Sequence, residues 1–203
     1  RINTGEARGK IAYNAYADAL YDPRCHVIQA VADSGDTIAT LVNYAVHPEV
    51  LGANTGICSP DMIWPMTQTI ERNIGGVAMF MNSAQGGMVT ADNRKTDGSD
   101  SRIWAECERI GGLLGNEAVR IIQEAEFLDD TQLRVHSKRV SFPVKSPEMR
   151  AVLETSPLSY ELDKEGYIAT TMNLIELGNT QILTIPGEAL PNIGYYLKQI
   201  GRA

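Results

Sequence analysis

The chain has 203 residues, 43% hydrophobic and 21% charged, with a net charge of −7 and a pI near 5. Its 18 basic residues are scattered, which argues against a nucleic-acid surface, because phosphate binding needs clustered Lys and Arg; no apolar run approaches the roughly 20 residues of a membrane-spanning helix. A chain of this length buries roughly 70% of the surface its unfolded form exposes, so a true core is expected, in one large domain or two small ones.

Residues 1–22 mix glycine, asparagine and small side chains without a sustained period and are expected to form an irregular lead-in with at most a short helix. CHVIQAVAD (25–33) and TIATLVNYAV (37–46) are β-rich runs around Ser34-Gly35 and predict a hairpin. SPDMIWPMTQTIERNIGG (59–76) predicts a helix with Ser59 as N-cap, Pro60 at its first position, Asp61 in its first turn and Pro65 delaying or kinking it. Gly75 and Gly76 close it, and GVAMFMN (76–82) reads as a central strand.

A helix is predicted over 101–126, with Ile103, Cys107, Ile110, Leu114, Ala118 and Ile121 on one stripe facing a sheet. Gly111, Gly112 and Gly115 within it each cost about 1 kcal/mol relative to alanine, so close packing is expected to compensate. TQLRVHSKRVSFPV (131–144) alternates like a half-exposed strand; 145–167 looks like an excursion from the core. TTMNLIEL (170–177) and TQILTIPG (180–187) flank a Gly178-Asn179 turn and predict a second hairpin, followed by a helix from Glu188. The expected architecture is α/β, a mixed sheet flanked by helices, taken as a single domain or as a fragment of a larger one, since the last element stops without a tail.

Cys25, Cys58 and Cys107 are odd in number and form no CxxC, so neither a disulfide framework nor a cysteine zinc site is indicated. His26 and His136 lie inside strand patterns and are read as ordinary packed or solvated histidines. Three loops that follow apolar strands carry the candidate chemistry, because a sheet brings its strand ends together at one edge. In NYAVHPEVLG, Pro48 restricts the backbone of His47 to the extended region and His47 offers a neutral imidazole. In SAQGGMVTAD, Gly86 and Gly87 allow close backbone approach and N–H groups for a developing oxyanion, while Thr90 supplies a hydroxyl. In LTIPGEA, Glu188 opens a helix, where a first-turn acid is favoured for structural reasons alone; His plus Glu is also a normal pair of zinc ligands.

NYAVHPEVLG, the following SPD, MFMNSAQGGMVT and LTIPGEA resemble, in content and order, the neutral/alkaline (non-lysosomal) ceramidase family, from about residue 24 to 200. The resemblance implies a zinc-dependent amidase that cleaves the N-acyl bond of ceramide to a sphingoid base and a fatty acid. It implies His47 and Glu188 as ligands of Zn2+, with a histidine from a His-Thr-His type segment before residue 1 and a tyrosine beyond residue 203 completing the set. Remaining segments of the same catalytic domain are therefore expected partners, beside a lipid or other N-acyl small-molecule substrate, and export to the periplasm or outside the cell is suggested.

The family's glycine loop usually reads Gly-Asp-Val followed by a serine proposed as catalytic; here it reads Gly87-Met88-Val89-Thr90. Met88 removes a charge and an acceptor, and the Thr90 methyl stiffens its rotamer, so Thr90 is expected to hydrogen-bond the substrate carbonyl, with Gly87 on the oxyanion side. Gly86, Met88 and Asp61 are expected to contact substrate. Two alternatives stand beside this reading: a non-catalytic relative kept as a binding or assembly subunit, and a metal-dependent hydrolase of an unrelated amide or ester.

Overall fold

A computed structural model of the chain describes residues 1–158 and 160–201. In chain order the elements are β1 (Ile2–Glu6), β2 (Ala12–Asn14), β3 (Arg24–Val31), β4 (Thr37–Tyr44), α1 (Ile63–Ile74), β5 (Val77–Asn82), β6 (Val89–Ala91), α2 (Trp104–Gln123), β7 (Leu133–Pro143), α3 (Pro147–Thr155), β8 (Tyr167–Leu177), β9 (Thr180–Leu183) and α4 (Pro191–Ile200). They fall into two compact units: Arg1–Asp129 with Glu188–Ala203, and Asp130–Gly187. The α/β expectation holds, and among the described residues no helix is long and apolar enough to cross a membrane.

In the first unit a four-stranded sheet has the order β1-β3-β4-β5. The expected hairpin is β3–β4, antiparallel from His26 opposite Asn43 to Val31 opposite Thr37. β5 returns parallel to β4 after the α1 crossover, the connection parallel strands require. β5 was expected to be central but lies at the sheet edge among the described strands, and Val77 and Met79 are exposed. The lead-in expected to be irregular contains β1, antiparallel to β3, and β2, antiparallel to β6.

α2 packs over β1 and β3, α1 over β5, and the two helices pack on each other. Their shared core holds Met66 and Ile70 from α1 with Cys107, Ile110, Leu114, Ala118 and Ile121 from α2, as the stripe predicted; Ile103 is exposed at the N-cap. Gly111 and Gly115 sit where α1 crosses: a Cβ on Gly111 would lie 2.7 Å from Pro65 Cγ and 3.0 Å from the Met66 amide, and one on Gly115 2.8 Å from the Met66 carbonyl. Gly112 faces open space, so close packing accounts for two of the three glycines.

α1 begins at Ile63, four residues after Ser59. Asp61 has a φ of 51°, a left-handed conformation that cannot belong to a helix, and this pushes the start beyond it. Pro65 then falls at the third helical position, where an amide has no intrahelical acceptor to lose. Gly75 ends the helix at a φ of 73°, as its position predicted.

α4 is tied to the sheet by a buried carboxylate. Asp22, 4% exposed, accepts two 2.8 Å hydrogen bonds from the Arg24 guanidinium and one of 2.7 Å from Lys198 on α4. Lys198 also lies 3.0 Å from His26 Nε2, and Thr4 Oγ1 is 2.7 Å from His26 Nδ1. Burial alone would raise the Asp22 carboxyl, but the hydrogen bonds and charges of Arg24 and Lys198 outweigh it and hold the group well below the usual carboxylate range.

A group whose pKa is depressed on folding stabilises the native state above its unfolded pKa, about 3.9 for Asp, and loses that contribution as pH falls through the folded value. Asp22→Asn is therefore expected to destabilise the protein by about 2 kcal/mol at pH 7. In denaturant titrations the gap to the wild type should narrow as the pH drops below about 4; a gap independent of pH would refute the assignment.

The second unit is a three-stranded antiparallel sheet in the order β7-β8-β9. β7 pairs with β8 from Leu133 opposite Leu177 to Pro143 opposite Tyr167, and the β8–β9 hairpin turns through Gly178 at a φ of 56°. The stretch expected to be an excursion contains α3, whose N-cap Ser146 accepts from the Met149 amide at 3.2 Å with Pro147 at the first position. His136 pairs with Glu176 at 3.1 Å on the surface.

Candidate functional site

His47 lies three residues past the end of β4. Buried Tyr44, Ala45 and Val46 lead into it, and His47 itself forms an isolated parallel bridge with Thr90 of β6. One acceptor fixes it twice: the Val89 carbonyl takes the His47 amide at 2.9 Å and the ring Nδ1 at 2.8 Å. A carbonyl only accepts, so Nδ1 carries the proton and a neutral ring presents a bare lone pair at Nε2.

That lone pair faces Glu188 Oε1 at 3.3 Å, across 141 positions of sequence. Two acceptors aimed at each other repel unless positive charge lies on or between them, either a proton that makes the ring imidazolium or a metal cation. His47 is 21% exposed and Glu188 63% exposed, so the carboxylate opens to solvent beside a ring that is held from behind.

Glu188 was expected in the first turn of a helix. The structure corrects this: α4 starts at Pro191, with Leu190 as N-cap, and Glu188 lies in the irregular stretch before it. The helix-dipole explanation for this acid therefore falls away. The segment is held by the glycine loop, because the Gly86 amide donates to the Ala189 carbonyl at 2.9 Å. A Cβ on Gly86 would lie 2.6 Å from the Glu188 carbonyl and one on Gly194 of α4 would lie 2.5 Å from Ala84 Cβ. Glycine is needed at both places for α4 to seat against residues 83–86.

The same bond removes Gly86 from the amides expected to face an oxyanion. Gly87, at a φ of 73°, and Met88, at 68°, keep amides that donate to no group among the described residues. Met88 is a non-glycine residue in a left-handed conformation, which stores strain where the loop turns into β6. Partners across a β-bridge project to one face, so Thr90 shares a face with His47. Among the described residues the Thr90 hydroxyl has no hydrogen-bond partner, and nothing there draws off its proton as an activated nucleophile requires.

Thr90 also lines a cleft of about 190 Å³ with Tyr13, Glu49, Met88, Asn93, Asp100 and Arg102. Tyr13 pairs with Thr90 across β2–β6; burial and the nearby Asp100 push its phenol above the usual range, against Arg94, whose guanidinium stacks 3.6 Å from the ring centroid.

Asp61 stands apart from this face. It is buried, and its carboxylate accepts from the amides of Val50, Leu51 and Met62 at 3.1, 3.0 and 2.7 Å. Its oxygens thus pin the turn after Pro48 to the start of α1, and it positions the His47 loop rather than reaching into the cleft beside Thr90. Gln85 was not singled out from the sequence, yet it is buried and its Oε1 has no hydrogen-bond partner among the described residues. Nothing in the run Ala-Gln-Gly-Gly signals this. Among the described residues no group of three or more His, Cys, Asp or Glu side chains is placed to hold a metal ion.

No family model matches the chain, nor does any curated protein. Solved structures do. The crystal structure of neutral ceramidase from Pseudomonas aeruginosa matches with a TM-score of 0.73 at 15% identity, over 98% of this chain and 41% of that one. A ceramidase structure described as complexed with C2 matches with a TM-score of 0.72 at 15% identity, over 98% of this chain and 43% of that one. The chain thus has the fold of part of neutral ceramidase and spans about two-fifths of the structures it matches.

Proposed function

We propose that the chain carries part of the catalytic centre of a zinc-dependent hydrolase of the neutral ceramidase type, cleaving the N-acyl amide bond of a ceramide-like lipid. The observation that carries this reading is the His47 Nε2–Glu188 Oε1 pair at 3.3 Å, two lone-pair atoms converging with no proton to share when the ring is neutral. Imidazole and carboxylate suit zinc, and the hydrogen bond from Nδ1 to the Val89 carbonyl is the outer-shell contact that orients such a ring. The pair is half a set: catalytic zinc takes three protein ligands and a water, so the others must come from further segments of the same catalytic domain.

Zinc held there would lower the pKa of a water and polarise the amide carbonyl. The chain's own residues do the positioning. The Val89 carbonyl sets the imidazole plane, Gly86 holds the Glu188 segment, and the Thr90 hydroxyl, sharing the His47 face, donates to the substrate carbonyl oxygen. Gly87 and Met88 offer the remaining amides on the oxyanion side. The polar cleft beside Thr90 suits the hydroxylated head of the substrate better than its acyl chain.

Full-length protein assayed on a panel of N-acyl lipids and simple esters, with and without chelator, tests this. Hydrolysis of the amides that chelator abolishes and zinc restores is the expected result. Chelator-sensitive turnover of esters alone would replace ceramide by another substrate. Zinc-free protein with no hydrolysis would point to a binding or assembly subunit, a reading favoured by a Thr90 hydroxyl that makes no hydrogen bond among the described residues.

A further inference from the structure

β5 has an open edge that its sequence does nothing to protect. Among the described strands its one neighbour is β4. Natural sheets blunt their open edges with charges, prolines or bulges, because unpaired backbone groups invite another strand. The open edge of β7 in the second unit follows that rule, with Arg134, Lys138, Arg139 and Pro143 along its length. β5 does not: between Arg72 and Asp92 the chain holds no charged residue, no histidine and no proline. Its run VAMFMN, with Val77 and Met79 exposed, has the uncharged composition of a strand paired on both sides.

The backbone identifies the open groups. In a parallel ladder, alternate residues turn to the same neighbour. The Ser83 amide donates to the Tyr44 carbonyl at the end of β4 at 3.0 Å, so Ala78, Phe80 and Asn82, of the opposite parity, turn to the far side. Ala78 agrees with this, since its amide donates to Glu71 Oε1 of α1 at 3.0 Å and not to β4. Glu71 thus closes the start of the edge and leaves Phe80 and Asn82 as its open donors.

We infer that a further strand of the same polypeptide, from outside these 203 residues, pairs with β5 over residues 80–82 and makes β5 an inner strand. The inference rests on the reading of the chain as part of a larger catalytic domain: the chain covers only 41% and 43% of the structures it matches, which leaves ample sequence to supply a strand. A pairing three residues long is already used at β2–β6. A second copy fits less well. It would add its own β5 antiparallel across a twofold axis, which, centred on Phe80, sets Ala78 opposite Asn82 and needs the Ala78 amide that Glu71 holds in each copy. One end of the added strand lies beside Ser83, where the glycine loop begins, so the pairing that closes the edge also steadies that loop.

Amide hydrogen exchange of the full-length protein, read at single residues, tests this. The Phe80 and Asn82 amides are expected to exchange at least about 1,000-fold more slowly than unprotected amides, as those of a core strand do, and to keep that protection on dilution. Rapid exchange at 80 and 82 beside slow exchange at Met79 and Met81, which face β4, would make β5 a true edge and overturn the proposal. Protection that disappears on dilution as a dimer dissociates in sedimentation velocity would overturn it too, by making the partner a second copy. Metal content and activity decide the zinc reading separately: protected amides in a zinc-free, inactive protein would support the added strand alone, and rapid exchange in an active zinc enzyme would remove it alone.

Discussion

His47→Ala in the full-length protein is expected to remove stoichiometric zinc and to lower amide hydrolysis at least about 100-fold. Outer-shell partners of zinc ligands typically cost 10–100-fold when lost, and a ligand should cost no less than the top of that range. The substitution leaves the Val89 carbonyl without its ring donor but keeps the backbone bond from residue 47 to Val89, so the strand-end bridge to Thr90 should survive and far-UV circular dichroism should not change. Glu188→Gln preserves volume and removes charge, and should lose zinc as well. Elemental analysis showing zinc retained in both variants would mean that the two side chains meet for some other reason, and the metal would have to lie elsewhere.

Substituting two adjacent glycines of α2 is expected to give changes of opposite sign. Gly111→Val should destabilise the protein by about 3 kcal/mol, because the new side chain meets the α1 backbone and the Pro65 ring, and overpacking of a rigid contact has no cheap relaxation. Gly112→Ala should stabilise it by about 1 kcal/mol, since its Cβ enters open space and only helix propensity changes. Denaturant unfolding of the two variants decides it. Equal effects would mean that α1 and α2 do not cross where Gly111 lies.

The hairpin of β3 and β4, the α2 stripe and the three strand-end loops are legible in the sequence because each has a local period or a local turn signal. β1 and β2 are not. Ile2–Glu6 carries no apolar alternation, and β2 pairs with β6, whose partner for Tyr13 is Thr90; such short strands exist only because distant partners supply their hydrogen bonds. α3 is hidden because none of its residues is buried, which leaves no apolar stripe to read, although Ser146-Pro147-Glu148 is a helix-start signal in its own right.

At Glu188 two local signals compete. An acid after Pro186-Gly187 suits a first helical turn, but Pro191 is the better marker of the first helical position, and giving it priority places Glu188 outside the helix. Gln85 and the double grip of the Val89 carbonyl on His47 depend on side-chain and backbone geometry that no spacing rule encodes.

The first unit is built from two stretches of chain, with Asp130–Gly187 between them. The ribosome therefore delivers the imidazole at 47 long before the carboxylate at 188. At 5–20 residues per second the 141 intervening positions take roughly 7–28 s. Once residue 89 has followed, the nascent ring has its Val89 anchor but not yet the carboxylate at 188, and the Ala84 surface that Gly194 will cover stands open. Assembly of the pair is thus a late event in synthesis, completed only when α4 seats.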